Sequence, residues 1–430
     1  MATSSEALGR VVVVGAGFAG FHAARGLSRR LGGAAEVVVV NSTDYFLYLP
    51  LLPEVASGVL DPRRVSVSLA ATLPEVRLLL GDVDGVDLGA RRISYADPEG
   101  GRHHLGYDRL VLAVGSVNKL LPVPGVAAYA HGFRGIPEAL YLRDHLTRQV
   151  EFAAATDDPD QRAARCTFVV VGAGYTGTEV AAQGPLLTRD LAAGNRQLAG
   201  QPMRWLLLDL APRVLPELDP RLSATADRVL RERGVQVLTG TSVDEATAEG
   251  VRLSTGEFVA TRTLIWCVGV RPDPLVELLG LPLERGRIAV DTQLRVAGSP
   301  GVFACGDAAA VPDVTRPGQL TAMTAQHAVR QGKLAARNVA ASLGRGHPAT
   351  YRHRDLGFLV DLGGRDAAAN PLNVALSGTA AKAVTRAYHL AAMPGNRIRT
   401  AVDWALDALL PRQRVHLGLV QAPAVPLDTG

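Results

Sequence analysis

The stretch Val11–Gly20, with the sequence VVVVGAGFAG, decides the fold of the first part of the chain. Four consecutive β-branched residues are typical of a short strand buried in a parallel sheet. The strand runs into a G-x-G-x-x-G turn. Gly15 allows the tight bend, Gly17 lets a diphosphate approach the backbone, and Gly20 lets the helix pack on the strand. We therefore expect this turn, with Phe18 and Ala19, to bind a dinucleotide at a helix N-terminus.

The same pattern returns in the middle of the chain as FVVVGAGYTG, residues Phe168–Gly177. One glycine-rich turn is weak support for a nucleotide site, because such turns are common. Two copies, each between a strand and a helical pattern, are improbable by chance. Gly172, Gly174 and Gly177 therefore predict a second dinucleotide site, and the predicted fold class is α/β with two Rossmann-like domains.

Composition and length limit the possible classes of protein. A chain of 430 residues is too long for one ordinary core, so we expect two or three domains. Its cysteines, Cys166, Cys267 and Cys305, are isolated, without C-x-x-C or metal-like histidine spacing. We expect no disulfide framework and no metal site. No apolar stretch reaches the ~20 residues of a membrane span, and no signal peptide is recognisable. The expectation is a cytoplasmic protein, soluble or peripheral.

The charge of the chain is unevenly distributed. The net charge is +4, but residues 330–420 carry 13 Lys and Arg against 5 Asp. Such a basic portion can bind anionic lipid, can bind nucleic acid, or can have no binding partner. Its basic residues alternate with apolar helix positions and not with aromatic ones, which indicates no nucleic-acid partner.

Polar residues follow the second strand of each predicted unit. This position commonly carries an acid that holds the adenosine ribose. Asn41 occupies it in the first copy and can still hydrogen-bond a hydroxyl group. Asp209 occupies it in the second copy, where its charge would repel a 2′-phosphate and favour NADH over NADPH. The nearby Arg213 keeps NADPH open as the alternative.

Two further acidic residues each allow two interpretations. Glu179 lies two residues beyond Gly177, where it either caps the helix or faces the nicotinamide end of the ligand. Gly306-Asp307 end a later strand. Asp307 can bind the ribityl or diphosphate region of a flavin or cap the segment that follows, and the two roles can coexist.

Shorter apolar runs lie between the two glycine motifs. Val76–Gly81 and Arg92–Tyr95 are typical of antiparallel strands. The loop Asp44–Pro53 is apolar and aromatic without regular alternation. It is either covered by the protein's own core or forms a wall beside a cofactor.

Two short amphipathic helices are predicted near the end of the chain. The first has a basic face with Lys382, Arg386 and His389. The second has an apolar stripe with two aspartates opposite it. The stripe consists of Ile398, Val402, Ala405, Leu406 and Leu409. Such a pair usually covers the protein's own core; membrane docking and contact with a second copy are the alternatives.

Together these motifs resemble the two-dinucleotide-binding-domain flavoproteins, and above all the type II NADH dehydrogenases, which are single-subunit NADH:quinone oxidoreductases. The resemblance covers residues 9–412. Beyond the glycine motifs it rests on the loop Tyr45–Gly58, on Thr324–Ala328 as the family's Ala-Gln helix, and on Tyr388–Leu390 with Asp403-Trp404. The family usually has a second glutamine one turn after the first, where this chain has Arg330.

The resemblance implies FAD on the first glycine turn and NADH on the second. It implies that a hydride passes from NADH to FAD and that two electrons pass on to menaquinone or ubiquinone, without proton pumping. Catalytic roles fall to Glu179, Gln326 and Arg330. Further cofactor contacts are implied at Asn41, Val83, Ala113, Gly115, Asp209, Gly269, Gly306, Asp307 and Ala325.

The resemblance also implies a domain organisation. Residues 1–122 and 290–345 would form a discontinuous FAD-binding domain, residues 123–289 an NAD(H)-binding domain, and residues 346–430 a C-terminal domain. The last would contact the cytoplasmic face of an anionic membrane or a second copy in a homodimer. The alternative is a soluble FAD/NAD(P)H-dependent oxidoreductase with a non-quinone small molecule or a protein as acceptor.

Overall fold

Two five-stranded parallel sheets form the frame of the protein. The computed structural model describes residues 8–353, 357–412 and 415–428. The first sheet has, in spatial order, the strands Val302–Ala304, Arg109–Leu112, Arg10–Val14, Glu36–Asn41 and Arg77–Leu80. The second has Ala130–His131, Thr263–Trp266, Thr167–Val171, Arg204–Asp209 and Val235–Thr239. The predicted α/β class is confirmed.

The strand order places a crevice at each glycine turn. In the first sheet Val12 on the central strand lies between Val38 and Leu110. Val170 occupies the same central place in the second sheet. In each sheet the next strand along the chain lies on one side of the central strand, and a later strand lies on the other side. A crevice therefore opens at the carboxyl end of the central strand. Ligands of open α/β sheets bind at this point.

Each parallel sheet is accompanied by a three-stranded antiparallel meander. The first meander has the strands Asp82–Asp87, Arg92–Ala96 and Arg102–Gly106, and the second has Val243–Ala246, Gly250–Leu253 and Phe258–Ala260. The antiparallel assignment of Val76–Gly81 is wrong, because Arg77–Leu80 pairs in parallel with the strand Glu36–Asn41. A short apolar run at the edge of a parallel sheet has the same local pattern as a meander strand.

Smaller sheets connect these units. The strand Ser116–Asn118 pairs with Val270–Pro272 and joins the two halves. The remaining short pairings are Tyr45–Leu47 with Ser66–Ser68, and Leu283–Glu284 with Arg287–Ala289 and Ala309–Ala310.

Helices cover the faces of both sheets. The long helices are Phe18–Leu31, Ile136–Ala155, Tyr175–Ala193, Pro220–Glu232 and Ala325–Ser342. The short helices are Leu52–Ala56, Pro62–Val65, Leu69–Thr72, Val126–Tyr129, Pro159–Arg165 and Leu275–Leu278. The 3₁₀ turns are Leu49–Leu51, Arg196–Leu198, Gly306–Ala308, Pro371–Asn373 and Ala422–Ala424.

The C-terminal region begins with a three-stranded antiparallel sheet and ends with two helices. The strands are Leu359–Asp361, Ala367–Ala369 and Leu376–Ser377, and the helices are Gly378–Ala392 and Arg397–Leu409. Among the helices that the structure describes, none is long and apolar enough to cross a membrane.

Both C-terminal helices turn their polar faces towards the protein. Lys382 and His389 on the first helix are each only 6% exposed. On the second helix Asp403 forms an ion pair with Arg64 at 2.8 Å, whereas Ile398 is 81% exposed. The expectation that the apolar stripe covers the protein's own core is therefore wrong. The periodicity of apolar residues predicts that a helix has an apolar and a polar face, but it does not predict which face packs against the core.

Candidate functional site

The first glycine turn has the geometry that a diphosphate requires. Gly15 has φ +90°, and a Cβ there would lie 2.5 Å from the carbonyl oxygen of Ala113. Asn41 Oδ1 accepts a hydrogen bond from the backbone N–H of Ala16 at 2.8 Å. The space beside Gly17 is open, with no atom within 4 Å of a Cβ position. A phosphate can therefore approach the unpaired N–H groups at the start of the helix.

The structure brings Gly306 and Asp307 to this turn. A Cβ on Gly306 would lie 2.9 Å from the Cβ of Ala19, and its N–H donates to Gln331 Oε1 at 2.8 Å. Asp307 Oδ2 accepts a hydrogen bond from the hydroxyl of Ser116 at 2.6 Å. The capping interpretation of Asp307 is wrong, because Asp307 lies inside the 3₁₀ turn Gly306–Ala308, whose N-cap is Cys305.

The second glycine turn repeats the first. Gly172 has φ +100°, and a Cβ there would overlap the carbonyl group of Cys267. Asp209 Oδ2 accepts from the N–H of Ala173 at 2.5 Å, the bond that Asn41 makes in the first turn. The space beside Gly174 is open as well. This turn therefore fits a second dinucleotide.

The third glycine of each turn holds the helix on its strand. A Cβ on Gly20 would overlap the carbonyl group of Gly15, and one on Gly177 would overlap that of Gly172. Both positions exclude any larger residue, as the motif predicts.

The remaining predicted cofactor contacts lie at different distances from the turns. The N–H of Ala113 donates to the Val14 carbonyl at the first turn. Gly115 and Gly269 have φ +81° and +101° and border open space. Val83 is partly buried against the main core, and Ala325 begins the helix Ala325–Ser342. Contact of these residues with a cofactor stays a prediction.

The aromatic loop after the second strand is largely covered. Phe18 of the glycine turn meets Phe46 edge to face, with ring centroids 5.0 Å apart. Phe46 and Tyr48 are buried, and the hydroxyl of Tyr48 lies 3.1 Å from Nδ1 of His389. The loop therefore joins the first glycine turn to the first C-terminal helix.

Glu179 does not cap its helix. Its Oε1 accepts a hydrogen bond at 2.9 Å from the backbone N–H of Asp361, at the end of a C-terminal strand. Burial raises the pKa of Glu179 well above its ordinary value, and the nearby Asp361 and Glu54 carboxyl groups add to this shift. The neutral form of Glu179 is therefore favoured.

Behind Glu179 lies a buried cluster that the sequence did not reveal. Lys382 Nζ lies 2.6 Å from Asp361 and 3.5 Å from Glu54 Oε1. The indole N–H of Trp404 donates to Glu54 Oε2 at 2.5 Å. Burial, followed by the Asp361 charge, raises the pKa of Glu54. Two carboxyl groups, those of Asp361 and Glu54, share the Lys382 ammonium group, and Glu179 joins them through the Asp361 N–H. Three carboxyl groups near one ammonium group favour retention of a proton.

A weak sequence signal for this cluster existed. Glu54 is a single acid within the apolar run Leu51–Ala56, and Lys382 is one of only three lysines. Neither fact says which residues meet, because Glu54 and Lys382 are 328 positions apart in the chain.

Gln326 and Arg330 lie one turn apart on the helix Ala325–Ser342, and both contact the chain that follows it. The Gln326 side-chain amide donates to the Gly357 carbonyl at 2.8 Å. Arg330 Nη1 donates to Nδ1 of His353 at 2.8 Å. Arg330 thus has a histidine partner, and its role towards an acceptor stays a prediction.

The three cysteines behave as core residues. Burial raises the pKa of Cys166 to about 11 and the pKa values of Cys267 and Cys305 to about 12. All three are free thiols. Reactive thiols have a depressed pKa and access to solvent, and these three thiols have the opposite shift.

Comparisons with known proteins agree with this geometry. Residues 9–332 match the family described as pyridine nucleotide-disulphide oxidoreductase. The chain is 31% identical over 422 residues to the type II NADH:quinone oxidoreductase Ndh of Mycobacterium tuberculosis, covering 94% of this chain and 89% of the relative. It is 28% identical to the demethylphylloquinone reductase NdbB of Synechocystis, covering 93% and 96%.

A solved structure has the same fold. NDH2 of Plasmodium falciparum, determined in complex with NADH, aligns with a TM-score of 0.85 over 94% of this chain and 99% of its own. The identity is 17%, so this similarity concerns the fold alone.

Proposed function

Because this chain belongs to the pyridine nucleotide-disulphide oxidoreductases and, within them, to the type II NADH:quinone oxidoreductases, we propose that it oxidises NADH and reduces a quinone with FAD as cofactor. The net reaction converts NADH, a proton and the quinone into NAD⁺ and the quinol. The observation that carries the proposal is the repeated phosphate-binding turn, open beside Gly17 and again beside Gly174. The three thiols are free, with Cys166 and Cys305 buried and Cys267 half-buried, and this favours electron transfer to an acceptor without a dithiol step.

The first turn is the site for FAD. Its diphosphate would face the N-terminus of the helix Phe18–Leu31, with Asn41 near the ribose and Asp307 near the ribityl or diphosphate region. When bound, FAD supplies the two-electron chemistry that no protein side chain provides. The protein contributes binding and orientation.

The second turn is the site for NADH. The Asp209 carboxylate already accepts hydrogen bonds from the N–H groups of Ala173 and Ala211, at 2.5 and 2.7 Å. A carboxylate has about four acceptor positions, so Asp209 can also accept from ribose hydroxyl groups. Its negative charge disfavours the 2′-phosphate of NADPH.

Glu179 acts beside this second site. Its raised pKa favours a neutral carboxyl group, which donates a hydrogen bond where an ionised one could only accept. The cluster of Glu54, Asp361 and Lys382 behind it keeps a proton close to the redox site. Quinol formation consumes protons, and this cluster is placed to supply one.

The acceptor site includes Gln326 and Arg330. Arg330 carries a permanent positive charge and replaces a glutamine that the family usually has. A quinone gains negative charge as it is reduced, so the guanidinium group favours the reduced form. Menaquinone and ubiquinone both fit this chemistry.

The C-terminal helices provide the contact with the membrane. The exposed face of the helix Arg397–Leu409 presents Ile398, Val402, Leu406 and Leu409 to solvent. The surrounding region is basic, and each Lys or Arg near an anionic bilayer adds about 1 kcal/mol of attraction at low salt. We place this face on the cytoplasmic surface of the membrane.

Liposome flotation tests the membrane contact. Replacing Ile398 and Leu409 by Glu should abolish flotation with anionic vesicles. Leu278→Glu, at a leucine that is 75% exposed on a different helix, is the matched control and should float normally. A shift from dimer to monomer on sedimentation, with unchanged flotation, would assign the face to a homodimer instead.

Steady-state NADH oxidation with a panel of quinones, ferricyanide and oxygen tests the function. We expect a yellow protein, rapid reduction by NADH and turnover with a short-chain quinone. Arg330→Ala should raise KM for the quinone, whereas Arg337→Ala on the same helix, which binds the His347 carbonyl, should not. Flavin that is reduced by NADH but never reoxidised by a quinone would favour the alternative, a soluble oxidoreductase with another acceptor.

A further inference from the structure

Arg233 makes a buried contact that none of the functional assignments above uses. It follows the helix Pro220–Glu232, and only 9% of its surface is exposed. Its guanidinium group donates to the carbonyls of Ala182 at 2.8 Å and Gly363 at 2.9 Å, and also to the carbonyl of Leu362. It forms an ion pair with Asp366 at 2.7 Å. A buried charge is tolerated when its donors are satisfied in this way.

The partners of Arg233 lie on both sides of Glu179. Ala182 is on the helix Tyr175–Ala193, three residues beyond Glu179. The residues 362–366 form the turn after the strand Leu359–Asp361, whose last N–H donates to Glu179. One guanidinium group therefore ties the helix that carries Glu179 to the turn behind its hydrogen-bond donor.

The turn has two backbone hydrogen bonds of its own, Leu362 N–H to Asp366 O and Asp366 N–H to Gly363 O, both at 3.1 Å, and Arg233 adds contacts from outside it. Gly363 and Gly364 have φ +74° and +56°, in the left-handed region that few other residues adopt. The Gly363 N–H donates to Asp361 Oδ1 at 2.7 Å, and Lys382 holds the same carboxylate. Movement of the turn would displace the donor to Glu179 and the Lys382 contact together.

We propose that Arg233, with Asp366, is a positioning residue that holds the turn 361–366 in place, so that the Asp361 N–H stays hydrogen-bonded to Glu179. The position of Glu179 in turn sets the rate of hydride transfer from NADH. The proposal rests on the proposed function for its kinetic consequence only. Arg233 presents its donors in one rigid plane, which matches several carbonyls and a carboxylate at once. A lysine has the charge but not this geometry.

The first arm of the test is kinetic. Arg233→Lys should lower the rate constant for anaerobic flavin reduction by NADH about tenfold, because small displacements near a reacting centre are costly. The reoxidation of chemically reduced protein by a quinone should keep its rate. Arg228→Lys, on the same helix and in an exposed ion pair with Glu232, is the matched control and should change neither rate.

The second arm does not depend on activity. Hydrogen exchange at the amides of 361–364 should accelerate in Arg233→Lys and, to a smaller extent, in Asp366→Asn, with the rest of the chain unchanged. The double variant with Glu179→Gln should be no slower than Glu179→Gln alone, because both changes act through one hydrogen bond.

The outcomes separate the positioning role from its alternatives. Faster exchange with an unchanged reduction rate would overturn the positioning role. Faster exchange over the whole chain in both variants would make Arg233 a general structural residue and would overturn the proposal as well. If NADH fails to reduce the wild-type flavin, the proposed function fails, while the exchange arm still decides whether Arg233 holds the turn.

Discussion

The two glycine turns are nearly the same structure, but they differ in their surroundings. Gly15 and Gly172 have φ values of +90° and +100°, and each turn is held by a side chain at the end of the neighbouring strand. That side chain is Asn41 in the first copy and Asp209 in the second. The backbone geometry for phosphate binding is therefore the same in both copies, and we propose that the neighbouring side chains decide which nucleotide is bound.

The position two residues after the third glycine shows the same contrast. In the first copy it is His22, whose pKa is lowered to about 4 by burial, Lys333 and Arg25. In the second copy it is Glu179, whose pKa burial raises. The helix Ala325–Ser342 packs on the first copy, whereas the C-terminal turn and its carboxyl groups contact the second. The first turn therefore lies against a helix, and the second lies near a cluster of buried carboxyl groups.

The largest expected effect is the loss of flavin on substitution in the first turn, which the same substitution in the second turn should not cause. Gly17→Val should fill the space open to the FAD diphosphate and give protein without flavin. Gly174→Val should retain flavin and weaken NADH binding by about ten- to a hundredfold. Flavin absorbance and NADH titration measure the two effects. Loss of flavin in Gly174→Val, with Gly17→Val still yellow, would exchange the two assignments.

The second prediction concerns the unequal side chains after the turns. Glu179→Gln should keep FAD and slow NADH-dependent flavin reduction by about ten- to a hundredfold. His22→Asn should keep both flavin and rate. Stopped-flow traces check this difference, and equal rates in Glu179→Gln and wild type would leave Glu179 with a structural role.

The third prediction sharpens the difference between Asn41 and Asp209. Asp209→Ser removes the charge that disfavours a 2′-phosphate, so the preference for NADH over NADPH should fall by about tenfold in kcat/KM. Asn41→Ser should weaken flavin retention without changing this preference. A wild-type protein that prefers NADPH would contradict the role given to Asp209.

The smallest expected effect is on the pH dependence of stability. Its sign should differ between His22, after the first turn, and Glu54, in the cluster that contains Asp361 and Lys382. The pKa of His22 is lowered on folding, so its contribution to stability is lost as the pH falls from about 6.5 towards 4. The pKa of Glu54, in the cluster beside the second turn, is raised, so its contribution is lost as the pH rises above about 4.5.

Thermal unfolding across a pH series measures this difference. The Tm of His22→Asn relative to wild type should rise on acidification. The Tm of Glu54→Gln relative to wild type should rise with increasing pH instead. Parallel curves for Glu54→Gln and wild type would show that this carboxyl group does not titrate in the folded protein.

The sequence by itself determined the two strand–turn–helix units, the α/β class and the glycine positions. Each of these follows from residues adjacent in the chain, because a buried strand, a tight turn and a helix start are local patterns. The polar residues that end the second strands, Asn41 and Asp209, were predicted in the same way. The positions of the glycines and of the strand ends can both be read from the local sequence, since each turn follows directly after its strand.

Only the tertiary structure decided which distant groups meet and which helix faces point outwards. Glu54 and Trp404 are 350 residues apart, and no local pattern predicts that the indole N–H of one meets the carboxyl group of the other. The C-terminal helices show the same limit. Their apolar stripe is exposed and their lysine is buried, because the inward charges are satisfied by Glu54 and Asp361, partners that periodicity does not contain.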